Sequence, residues 1–321
     1  MSDSPATIAA APPDAAAQRL RPERRAGKSP WQVWRDASGR LSALRIATLA
    51  LLIVPVTIAI YDFNAEGFGA RPINNVIHRT GFWALVFLML TLAVTPLRRV
   101  ARFNALADVR RMIGVGAFAY AATHILLYVA DQMFDLWKVA SEIALRLYLT
   151  IGFVALLGLA ALALTSTDEM VRRLGLARWQ RLHNIVYGVG LLALIHFFQQ
   201  TKADVSVPTF VAGLFGWMLG YRLLLKLRNS RMEPPTWTLL VLSIVIAVLT
   251  FAAEAVGIGI AFHVSPLRVL QAAFDFSDFA NVRPGWLVLG AGLIVVAVDL
   301  VRARLAPPRR TPAAAGRRPR P

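Results

Sequence analysis

Histidine is the residue type in this chain with chemistry to do. There are five, His78, His124, His183, His196 and His263, and there is no cysteine. Without thiols, disulfides, iron–sulfur clusters and thiolate metal sites are excluded. His124, His183 and His196 stand inside long apolar runs that are almost free of carboxylates. The two acidic residues of the later runs, Glu254 and Asp299, fall near run ends, where they can reach an interface. An ionisable side chain at membrane depth is costly, so it is a functional candidate by default. The plainer alternative for a lone histidine is a hydrogen bond between two helices.

Depth separates these readings. Arg111 precedes His124, and Arg181 precedes His196, by about four helical turns in each case. At ~1.5 Å per residue both imidazoles then sit roughly 20 Å into the membrane. Two histidines on parallel helices at one depth can clamp an iron from opposite faces. They would fill both axial positions of a haem, which favours electron transfer over oxygen chemistry. A bare zinc ion would need further ligands, and no Cys, Asp or Glu stands at that depth.

His183 precedes His196 in the same apolar run and lies nearer the basic face. On an ideal helix the two side chains point ~140° apart, so they need not share a partner. On the other helix Arg110 occupies the height at which a second ligand is expected. A guanidinium cannot ligate iron, but it can pair with a haem propionate. His183 is thus open to three readings: a ligand of a second haem, part of a quinone or flavin site, or a structural residue. His78, beside Asn74 and Asn75, can meet a partner or the edge of an outer haem, and His263 reads as a surface residue. Trp179 and Trp217 fit interfacial aromatics.

The elements that must position these residues are apolar helices. Hydrophobic residues make up 57% of the 321, and the mean hydropathy is +0.55. Runs at 41–60, 81–97, 113–130, 144–165, 182–199, 207–225, 237–256 and 284–301 are each long enough to cross ~30 Å of hydrocarbon. Continuous apolar runs predict helices rather than a barrel, so the fold class is all-α integral membrane with eight spans. Residues 1–40 and 306–321 are rich in Ala, Pro and Arg and read as disordered tails. No apolar run precedes residue 41, so a cleaved secretory signal is not expected.

The net charge of +17 would suggest nucleic acid in a soluble protein. Here 28 of the 35 lysines and arginines fall on one side of the predicted topology and 7 on the other. That asymmetry is a topology signal, which places both termini in the cytoplasm and sets nucleic acid aside. The basic tails can touch anionic lipid of the bilayer.

Three segments carry a resemblance. "HRTGFWALVFLMLTLAVTPLRR" (78–99), "RRMIGVGAFAYAATHILLY" (110–128) and "LALTSTDEMVRRLGLARWQRLHNIVYGVGLLALIHF" (162–197) are similar to the MsrQ family, formerly YedZ, of the ferric-reductase-like transmembrane superfamily. The resemblance covers roughly residues 44–228 and implies a six-helix bundle with haem b in the membrane. It matches His124 and His196 to the axial ligands and His183 to a third histidine of less settled role. It further implies FMN, and electron transfer in the inner membrane from the quinone pool to MsrP. That partner is a periplasmic molybdenum-containing subunit that reduces methionine sulfoxide in oxidised proteins. The expected organisation is a haem-binding domain at 41–228 and, departing from the family pattern, a two-helix extension at 229–305, between the tails at 1–40 and 306–321.

Two other functions compete. A self-contained ferric or oxygen reductase needs a flavin and nicotinamide domain, or a separate cytoplasmic flavin reductase; about 20 residues follow the last predicted helix. A transporter is disfavoured by the scarcity of intramembrane carboxylates and of paired broken helices.

Overall fold

The computed structural model describes residues 34–35, 39–66, 71–201, 204–228, 233–276 and 282–305. The predicted disordered tails lie outside them, apart from residues 34, 35, 39 and 40. The chain forms α1 (Ala43–Glu66), α2 (Pro72–Val100), α3 (Leu106–Asp131), α4 (Leu136–Leu145), α5 (Leu147–Leu164) and α6 (Asp168–Leu174). It continues with α7 (Leu176–His183), α8 (Val186–Gln200), α9 (Ser206–Leu227), α10 (Thr236–Phe262), α11 (Pro266–Ala272) and α12 (Pro284–Leu305). Eight spans are long and apolar enough to cross a membrane, with α7 and α8 together making one of them. The protein is an all-α, multi-pass membrane protein. Lipid offers no partner for a bare backbone amide, so such runs must satisfy their hydrogen bonds within the helix.

Two expected runs are divided, 182–199 at Asn184–Ile185 and 144–165 at Arg146. The run at 144–165 begins as the end of α4, breaks at extended Arg146, and resumes as α5. The Asp135 carboxylate starts α4 by accepting the Lys138 amide at 2.9 Å. The basic connection at 165–181 is helical as well. Thr167 caps α6 by accepting from the Met170 amide at 3.2 Å, and Gly175 ends it. Gly175 has φ 75 and ψ 147, a conformation that is essentially restricted to glycine. On α6, Glu169 pairs with Arg172 and Arg173, which hold its carboxyl below the usual carboxylate range. Arg111 reaches Asp168 at 2.8 Å, which ties the two arginine-rich connections together on one side.

Helix α2 runs through the middle of the bundle, with Phe87 and Leu92 fully buried. Tyr120 of α3 donates to the Leu52 carbonyl of α1 at 2.7 Å. Arg222 of α9 donates to the Leu92 carbonyl of α2 at 2.5 Å and lies 5.4 Å from the Tyr187 ring centroid. That guanidinium is satisfied by carbonyls and a π-face instead of a carboxylate.

Helices α10 and α12 pack on α9, and Arg302 of α12 donates to the Val100 carbonyl at 2.9 Å. This packing corrects two expectations. Trp217 is buried at 6% exposure, and its indole N–H donates to Ser243 Oγ at 3.0 Å, so it is a core residue and not an interfacial one. Glu254 is buried at 4% exposure, and Arg283 comes to it, 3.3 Å away. Asp299 accepts from Thr236 Oγ1 at 2.6 Å.

Candidate functional site

A cavity of about 430 Å³ opens among α2, α3, α5 and α8, away from the arginine-rich connections. His124 of α3 and His196 of α8 line it together, as their equal depth predicts. Their ring centroids are 6.3 Å apart and their planes are inclined by 80°. With metal–imidazole bonds of about 2 Å and ring centres about 1 Å behind the nitrogens, one ion between two imidazoles sets the centroids roughly 6 Å apart. The spacing suits a single shared ion.

Main-chain carbonyls orient both rings. His124 Nδ1 stands 2.8 Å from the Ile77 carbonyl of α2, and His196 Nδ1 stands 2.8 Å from the Tyr148 carbonyl of α5. A carbonyl can only accept, so each Nδ1 carries the proton and donates. The Nε2 lone pair of each ring is thereby left for a metal. Each ring also lies against a glycine. A methyl group on Gly81 would stand 2.9 Å from His124 Nδ1, and one on Gly152 would stand 2.8 Å from His196 Nδ1.

The rest of the lining is mostly apolar, with His78, Arg79, Gln200 and Thr201 among its few polar residues. His78 therefore lies at the cavity, consistent with contact to the edge of a bound group. Among the described residues no cluster of three or more His, Cys, Asp or Glu could hold a metal by itself. The cavity supplies the His124–His196 imidazole pair, with His78 as a further histidine in the lining, and a largely apolar space. A planar macrocycle that brings its own four equatorial nitrogens fits this donor set, whereas a bare ion does not.

His183 lies elsewhere. It lines a second cavity of about 650 Å³ on the arginine-rich side, with Arg98, Arg99, Arg110, Arg111 and Arg222. Its ring stacks on Trp179 at 3.8 Å, and its Nε2 is 3.2 Å from Thr165 Oγ1. Trp179 donates to the Thr165 carbonyl at 2.9 Å. A turn at Asn184–Ile185 separates α7 from α8, so the ideal-helix angle between His183 and His196 does not apply. Arg110 shares the cavity with His183, at the height where a second ligand is expected. Among the described residues no carboxylate lines this space, so its charge invites an anion. Leu88 and Leu159 line both cavities and form part of the partition between them. His263 is exposed in the turn after α10.

Ile77, Gly81, Tyr148 and Gly152 do not stand out by residue type. One sequence signal does mark the glycines. Gly-Phe-x-Ala-Leu-x-x-Leu occurs at 81–88 and again at 152–159. The five identical residues of each copy line the histidine cavity.

Residues 80–194 match the family model described as ferric reductase like transmembrane component. The chain is 40% identical over 173 residues to the protein-methionine-sulfoxide reductase heme-binding subunit MsrQ of Xanthomonas euvesicatoria, covering 54% of this chain and 79% of that one. It is 38% identical over 196 residues to the MsrQ of Xanthomonas campestris, covering 59% and 89%. The MsrQ of Rhodospirillum rubrum is 39% identical over 188 residues, covering 58% and 90%. No solved structure matches. With most of each relative's length matched at this identity, the chain belongs to the MsrQ family of protein-methionine-sulfoxide reductase heme-binding subunits.

Proposed function

We propose that this chain is a haem b electron-transfer subunit of the bacterial inner membrane. It passes electrons from the respiratory quinone pool to MsrP, a periplasmic molybdenum-containing methionine-sulfoxide reductase that repairs oxidised proteins. The carrying observation is the imidazole pair, 6.3 Å between centroids, with both Nδ1 groups engaged by carbonyls. His124 and His196 would hold the haem iron. The carbonyls of Ile77 and Tyr148 orient them, and the apolar lining excludes water. Haem, when bound, would supply a one-electron couple suited to electron transfer.

The basic cavity supplies the other end of the path. His183, Trp179 and the surrounding arginines suit an aromatic group that carries negative charge. FMN phosphate and haem propionate share that chemistry, and a quinone head can enter the same space. The basic connections and both termini face the cytoplasm, so electrons move toward the periplasm.

A reduced-minus-oxidised spectrum of the purified protein tests the reading. A b-type band is expected, and His124→Ala and His196→Ala should each abolish it. Absence of the band, or its full retention in both variants, would overturn the proposal.

A further inference from the structure

The two axial histidines are held in one arrangement made twice. The sequence step from Gly81 to Gly152 matches the step from His124 to His196 to within a single position. In the first copy, the ring lies on Gly81 and donates to the carbonyl one helical turn earlier, Ile77. In the second, the ring lies on Gly152 and donates to the carbonyl one turn earlier, Tyr148. Each helix also repeats Gly-Phe-x-Ala-Leu-x-x-Leu, and the final leucines, Leu88 and Leu159, fall at the same partition. The hairpins α2–α3 and α5–α8 are thus two halves around one cavity, each giving it one ligand.

The recurrence has a physical cause. In a helix the carbonyl of Ile77 accepts the amide of Gly81, and its second lone pair remains for the imidazole. The ring reaches that lone pair only by passing close against the next turn, which is where the glycine stands. A Cβ at that position would stand under 3 Å from the ring. Glycine in a helix interior costs roughly 0.5–1 kcal/mol relative to alanine. The close approach of the ring is what offsets it here.

We infer, on the haem reading above, that Ile77–Gly81 and Tyr148–Gly152 are duplicated seats that position the axial imidazoles. Gly81 and Gly152 are positioning residues for the redox centre. Losing the Nδ1 hydrogen bond makes an imidazole a poorer electron donor to iron, which favours the reduced state.

The test compares Gly81→Ala, Gly152→Ala and Gly158→Ala in the full-length haem-loaded protein. Gly158 is the packing control, because a methyl there would meet Val189 Cγ2 at 2.6 Å and no histidine. Gly81→Ala and Gly152→Ala should each raise the midpoint potential, alter the low-spin EPR signal and weaken haem retention about 10–100-fold. Gly158→Ala should keep the wild-type potential and EPR signal. Wild-type spectra in all three variants, or one common shift in all three, would overturn the seats. If the alanine variants do not give monodisperse protein, pulsed EPR on the wild type reads the remote imidazole nitrogens. Two protonated, hydrogen-bonded Nδ1 groups support the seats, and an unprotonated or unbonded one refutes them. A wild type without a b-type band would instead overturn the haem reading, independently of the seats.

Discussion

At the residue scale, each side chain's partner decides its role. His124 and His196 differ from His183 in what their rings meet: a helix carbonyl for the first two, a hydroxyl and an indole face for the third. The two sites are separated at Leu88 and Leu159, so His183→Ala should leave the band held by His124 and His196 in place. Any component it does remove belongs to the basic cavity, and a titration of haem or flavin per chain shows which group was lost. A different partner fixes Glu254, which Arg283 meets inside the extension. Breaking a buried pair costs about 3–5 kcal/mol, and Arg283 keeps contact with solvent, so Glu254→Ala should cost roughly half that. Thermal unfolding in detergent should show a lower Tm with an unchanged haem spectrum. Intramembrane histidines are conspicuous in sequence, because polarity stands out in an apolar run. Their seats are not, since a carbonyl carries no residue identity and glycine is frequent in membrane helices anyway.

At the element scale, hydropathy locates spans well and interruptions poorly. All eight runs form spans, because length and apolarity alone decide whether a helix can cross lipid. The breaks at Arg146 and Asn184 leave no mark in the sequence, for neither is glycine or proline and both sit in otherwise helical sequence. The burial of Trp217 and Glu254 is hidden for a different reason. Hydropathy reports depth along the membrane normal, whereas α10 and α12 cover Trp217 from the side and Arg283, just before α12, meets Glu254 on α10. The elbow between α6 and α7 is the element most open to test. It hands the chain from Thr165 to Trp179 and His183, and it turns on Gly175 at φ 75 and ψ 147. Any side chain there is strained, so Gly175→Ala should cost about 1–3 kcal/mol. Unfolding by heat in detergent checks the cost. A stability equal to the wild type would mean that the elbow tolerates another conformation.

At the scale of the whole molecule, orientation in the bilayer sets the direction of transfer, and the chain's composition makes it easy to probe. The two cavities lie at different depths, one beside the arginine-rich connections and one beyond Leu88 and Leu159. On the proposed function, electrons run toward the periplasm only if the arginine-rich side faces the cytoplasm, the orientation that the excess of positive charge in its loops predicts. The chain has no cysteine, so any single introduced thiol is the only one that can be labelled. Asn104 is exposed in the connection between α2 and α3, on the arginine-rich side. Met133 is 86% exposed at the opposite end of α3. In spheroplasts of a bacterial host, a membrane-impermeant maleimide should label Met133→Cys at once and Asn104→Cys only after lysis. The helix between them turns this into a measurement of one span's orientation, and the antiparallel order of the helices carries it to the others. The reverse pattern would put the arginine-rich cavity on the periplasmic face. The path would then point away from MsrP, and the proposed direction of transfer would fall even if the haem and its seats stood.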